Sequence, residues 1–164
     1  MHTDWSGHAA HWEAFEYIDT GTNVIQSPSP PGLEHYTKYI TGGGVIIVGG
    51  AAVPDEALLA ARESLMYMTS ARPEFRDILK RNEARISLFG PEGYASALPE
   101  YPDSNEPGGF AMGMTDVSMT ANANWLCYPG NWDIGGDPVI HEMVHTINHV
   151  VFEEINETYF YERI

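Results

Sequence analysis

Asp137-Pro138-Val139-Ile140-His141-Glu142-Met143-Val144-His145-Thr146-Ile147 is the stretch that decides how this chain is to be understood. Histidines four apart on a helix fall one turn apart on the same face, so His141 and His145 can reach a single metal ion. Glu142, beside the first histidine, is then placed to take a proton from water activated by that ion. The flanks predict a helix. Asp137 supplies an N-cap and Pro138 suits the first helical position. Val139, Ile140, Val144 and Ile147 are the positions expected to bury against a core. A surface helix carrying histidines by chance is the bland reading, and the capped, amphipathic context makes it the weaker one.

Upstream, Val45-Ile46-Ile47-Val48 lies between glycine clusters as a continuous apolar run, the mark of a strand buried on both faces. The glycines match neither a phosphate-binding loop nor a dinucleotide fingerprint; they are expected to allow turns at the strand ends. Pro54-Asp55-Glu56 opens a helix whose Leu58, Ala61, Leu65 and Met68 recur at helical spacing to about Ser70. Pro73 to Arg81 predicts a second helix, with Phe75, Ile78 and Leu79 on one side. Ala84, Ile86 and Leu88 alternate with Arg85, Ser87 and Phe89, a strand stopped at Gly90-Pro91. Leu33 to Ile40 is expected to form a short helix, broken by Thr41-Gly42-Gly43-Gly44. Gly90 to Ala121 reads as a long loop, and Asn124 to Tyr128 as a last short strand.

Residues 1–32 are polar, aromatic and histidine-rich, ending in Ser27-Pro28-Ser29-Pro30-Pro31-Gly32, and are expected to form an extended arm ahead of one domain over 33–164. His2, His8 and His11 have no fixed geometry and read as surface histidines. The predicted fold class is α+β, a mixed sheet packed with helices and followed by the His-Glu-x-x-His helix.

Composition narrows the function classes. The chain has 164 residues, with 8 Lys plus Arg against 23 Asp plus Glu and a net charge of −15. Such a field repels nucleic acid and anionic membranes, so neutral or cationic partners are expected. No apolar run approaches the roughly 20 residues of a membrane span. Cys127 is the only cysteine, which excludes an intrachain disulfide; it is expected to pack beside Trp125 and Leu126. No signal peptide is visible after Met1, the expectation for a cytosolic or processed chain, and Asn156-Glu157-Thr158 is a glycosylation sequon only in a secreted context.

The segment from Asp137 to Ile147 closely resembles the metal helix of zincin metallopeptidases, in which a mixed sheet precedes a helix bearing His-Glu-x-x-His. Val53 to Leu58 and Trp125 to Gly130 look similar to a group of predicted secreted zinc-peptidase-like proteins, distantly similar to lethal-factor-type peptidase domains. The resemblance covers about residues 36–150. It implies a bound Zn2+, His141 and His145 as ligands, Glu142 as general base, and a peptide or protein substrate. In that group the third ligand is a glutamate on a helix well downstream, and this chain ends at Ile164, so either the ligand lies unusually close or the domain is a shortened form.

Spacing ranks the internal candidates. If the helix continues, His149 lies about 12 Å along its axis from His141, too far to share an ion. Glu153 and Glu154 would need a turn. Asn156 is a plausible cap for a second short helix, which puts Glu157 in its first turn and makes it the preferred third ligand; a solvated cap is the competing reading. Tyr159 or Tyr161 is a candidate for stabilising an oxyanion. The leading expectation is a zinc-dependent hydrolase of peptide bonds. An amide or ester substrate at the same site is a variant of it, and a non-catalytic metal-binding or interaction domain with an incomplete ligand set is the alternative of a different class.

Overall fold

The chain has an α+β fold, seen in a computed structural model that describes residues 20–26, 33–90, 93, 95–100, 112–114, 118–126 and 137–155. In chain order come strands β1 (Ile25–Gln26), β2 (Lys38–Gly42) and β3 (Val45–Gly49), then helices α1 (Asp55–Met68) and α2 (Glu74–Arg81). Strands β4 (Arg85–Phe89), β5 (Met112–Met114) and β6 (Ser118–Asn122) follow, then helix α3 (Pro138–Thr146), which runs on as a π-helix over Ile147–Phe152. The sheet order is β1-β2-β3-β4-β6-β5, with β3, β4 and β6 parallel and the remaining neighbours antiparallel. β1 lies inside the stretch read as an arm and forms an edge of this sheet.

Both faces of β3 are covered, as its unbroken apolar run requires. Val45 and Ile47 join Ile86, Leu88 and Met119 beneath α1, α2 and α3, while Ile46 and Val48 meet Tyr36, Tyr39, Phe89 and Leu98 on the other side. Helices α1 and α2 and strand β4 lie where the apolar spacing predicts them.

Three expectations from the sequence differ from the structure. Residues Lys38–Gly42 are not helical but form β2, paired to β3 through the two-residue turn Gly43-Gly44, whose φ angles are 58° and 89°. Such angles suit a hairpin with two left-handed residues, and glycine meets that need at no steric cost. A Cβ on Gly43 would also fall 2.4 Å from Arg76 Nε. Pairing along a whole buried strand outweighs the weak local preference of Leu33 to Ile40 for a helix. Among the described residues the last strand is Ser118–Asn122, and Ala123–Trp125, at the start of the strand expected over Asn124 to Tyr128, is a 3-10 turn begun where Asn122 Oδ1 accepts from Asn124 N at 2.8 Å; Cys127 and Tyr128 lie outside the described residues. Strands β5 and β6 therefore occupy part of the stretch read as loop. Its small polar residues disguised them: Ser118 and Thr120 are buried, with Thr120 Oγ1 donating to the Ser87 carbonyl at 2.6 Å and Ser118 Oγ 3.3 Å from Ser87 Oγ.

The second face is closed by a buried carboxylate. Glu100 Oε1 accepts from Arg85 Nε at 2.8 Å and from Ser87 Oγ at 3.1 Å, and Glu100 Oε2 accepts from the Tyr36 hydroxyl. Burial pushes the Glu100 carboxyl upward, but the Arg85 charge and the donated hydrogen bonds outweigh it and hold it below the usual carboxylate range. Burial, and after it the Glu100 charge, raises the Tyr36 hydroxyl far above the usual phenol value.

These opposite shifts fix the pH profile. A carboxylate with a depressed folded value adds stability above its unfolded pKa of about 4.3, and this is lost as pH falls through the folded value. A phenol with a raised folded value adds stability below its unfolded pKa of about 10, and this is lost as pH rises beyond it. Denaturant midpoints measured against pH are expected to form a plateau between these limits and fall on both sides. Glu100→Gln strands the buried Arg85 charge, and is expected to weaken both limbs and cost about 3–5 kcal/mol at neutral pH.

Candidate metal centre

Helix α3 begins as its sequence predicts. Asp137 Oδ1 accepts from Val139 N at 2.9 Å, and Asp137 Oδ2 accepts from the Ser64 hydroxyl on α1, so the cap also ties the start of α3 to its neighbour. The helix packs on β5, β6 and α1. Val139, Met143 and Ile147, each four apart, are buried. Ile140 and Val144, expected in the core, are instead 41% and 39% exposed. The apolar residues of this helix span too wide an arc for one docking face, and the sheet takes the side centred on Val139 and Met143.

The opposite side carries the histidines. The His141 and His145 rings lie with centroids 5.4 Å apart and planes inclined by 60°, both exposed. Glu142 is buried between this face and the core, with Oε1 3.8 Å from His141 Nε2. Its backbone carbonyl accepts from Thr146 Oγ1 at 3.3 Å. Two imidazoles and one carboxylate thus share a short patch of one helical turn, offering nitrogen donors to a metal with an acid-base group alongside.

Beyond Thr146 the helix does not break. It widens into the π turn Ile147–Phe152, where Ile147, Val150 and Val151 are buried and Phe152 meets Phe75 edge-on at 5.6 Å between ring centroids. Val144 and Val151 are seven apart and would share a face of a regular α-helix, yet Val144 is exposed and Val151 fully buried. The wider turn rotates the last residues so that the segment docks on α2.

This continuity bears on each candidate third ligand. His149 lies more than two turns beyond His141 on the unbroken helical segment, and its Nδ1 is 3.3 Å from Glu153 Oε1. Glu154 pairs with Arg81 and accepts from Asn82 Nδ2 at 2.7 Å, which holds it against α2. Glu157 and its presumed cap Asn156 lie outside the described residues, as do Tyr159, Tyr161, Cys127, His2, His8 and His11. Among the described residues, no group of three or more His, Cys, Asp or Glu side chains is gathered closely enough to hold a metal. No family model, curated protein or solved structure matches the chain.

The Glu100, Arg85 and Tyr36 cluster escaped the sequence reading. Its three members lie far apart in the chain, and Glu100 sits in a stretch whose composition reads as loop; no local pattern marks them.

The exposure pattern of α3 gives a stability test. Met143→Ala, which empties a fully packed position, is expected to cost about 2–5 kcal/mol, whereas the exposed Val144→Ala should change stability by no more than about 0.5 kcal/mol. Chemical denaturation of both variants measures the difference.

Proposed function

We propose that the chain is a zinc-dependent hydrolase of peptide bonds, with His141 and His145 as metal ligands and Glu142 as general base. The observation that carries this reading is the pair of exposed imidazoles 5.4 Å apart with the Glu142 carboxylate 3.8 Å from His141 Nε2. The two imidazole nitrogens suit Zn2+, and Glu142 stands beside them as the acid-base group rather than as a ligand. A mixed sheet preceding the capped helix agrees with a zincin-like arrangement.

Zinc, when bound, would polarise the scissile carbonyl and lower the pKa of water. Glu142 accepts the proton from the attacking water and returns it to the leaving amine. Asp137 and the buried row Val139-Met143-Ile147 hold the helix still, so the two imidazoles keep their spacing. The charge of −15 favours neutral or cationic peptides as substrates. A non-catalytic metal-binding domain, in which His141 and His145 hold the ion with solvent, is the second reading.

Metal analysis of protein refolded with excess zinc is expected to give one zinc per chain, lost in His141→Ala and His145→Ala. Absence of stoichiometric zinc would refute the proposal. Glu142→Gln should keep zinc and fold while lowering peptide hydrolysis by about 10²–10⁴-fold, because the amide cannot accept the proton. Unchanged turnover in that variant removes Glu142 from the chemistry.

Glu157 is the proposed third ligand. Glu157→Gln is expected to weaken zinc affinity strongly and Glu154→Gln hardly at all, since Glu154 is engaged by Arg81 and Asn82. Competition with a chromophoric chelator reads both affinities, and equal values would favour the non-catalytic reading.

A further inference from the structure

A second concave site lies away from α3, at the carboxyl ends of the parallel strands β3 and β4. It is a crevice of about 640 Å³. Its lining comes from the turn after β3 (Gly50, Ala51, Ala52), from Leu88 and Phe89 at the end of β4 with Gly90, and from Ala97 and Leu98 beyond it.

The topology explains why a crevice opens there. From β3 the chain passes to the helical face, where Val53, Ala57 and Leu58 enter the core beneath α1. From β4 it passes to the opposite face, where Ala95 and Leu98 pack with Ile46, Val48 and Phe89. Neighbouring parallel strands whose onward connections part to opposite faces leave a gap at their carboxyl ends, the place where open α/β sheets bind ligands.

The walls define what fits. Apart from His35, the described lining is glycine and alanine together with Leu88, Phe89 and Leu98, so it is apolar, and its small residues leave backbone close to the interior. At Gly90 a Cβ would lie 2.7 Å from Ala52 Cβ, which shows how closely the two connections approach. At Gly50 a Cβ would meet nothing within 4 Å, which marks the open side. Among the described lining residues His35 is the one polar side chain, with no lysine, arginine or carboxylate. The volume lies within the range of small-molecule sites, about 300–1,000 Å³.

We propose that this crevice binds a small, uncharged ring compound of one or two rings. The proposal does not depend on the zinc reading, and none of its residues belongs to α3.

Indole is a suitable probe, titrated into the full chain and followed by amide NMR. Saturable shifts are expected at Gly50, Ala51, Ala52 and Gly90, with the amides of α3 unmoved. Ala97→Phe and Gly50→Val each add bulk to the lining, so at least one folded variant should bind indole ten-fold more weakly, with zinc content unchanged. Indole-3-acetate should also bind ten-fold more weakly, because the described lining residues include no lysine or arginine and the chain carries −15. Non-saturating shifts, shifts centred elsewhere, undiminished affinity in both folded variants, or tighter binding of the carboxylate would each overturn the proposal.

Discussion

A strand that is apolar on both faces cannot be left with one face in water, and the architecture follows from covering β3 twice. Val45 and Ile47 demand a helical layer, which α1, α2 and α3 provide. Ile46 and Val48 demand a second layer, which comes from Leu33, Tyr36, Ala95 and Leu98, residues of connecting segments and of one 3-10 turn (Ala95–Ala97) rather than of long helices or strands. Irregular cover has few backbone hydrogen bonds of its own to hold it. The Glu100 carboxylate, bonded to Tyr36, Arg85 and Ser87, fixes it to the sheet. A buried charge is tolerable there because a cation, Arg85, and two hydroxyl donors, Tyr36 and Ser87, meet the carboxylate.

The same double cover places α3. With α1 over β2 and β3, the remaining helical surface lies over β6 and β5, where α3 docks. Docking uses Val139 and Met143, and this choice turns His141 and His145 outward while leaving Glu142 buried beside them. The π turn then lets the chain bury Val150 and Val151 without rotating the histidines. One helix thus meets two packing surfaces that a regular α-helix would not satisfy together.

The crevice is a further product of covering both faces. If both connections left β3 and β4 on the same side, their ends would close over one another. Because one serves the helical layer and the other the opposite layer, a gap remains between them.

The sequence by itself determined the elements whose signals are local. Val45 to Val48 announced a doubly buried strand, apolar spacing announced α1 and α2, and Asp137-Pro138 announced where α3 starts. The pairing of His141 with His145 was equally legible, because helical geometry alone puts residues four apart side by side. Tertiary structure decided what depends on partners distant in the chain. It made Lys38–Gly42 a strand through pairing with β3, and it buried Ser118 and Thr120 by giving their hydroxyls partners on β4. It chose Met143 over Ile140 and Val144 for the core, since an apolar arc wider than the docking surface leaves that choice to the neighbours. It brought Tyr36, Arg85 and Glu100 together from three separate segments, where no periodicity could reveal a contact made only by folding.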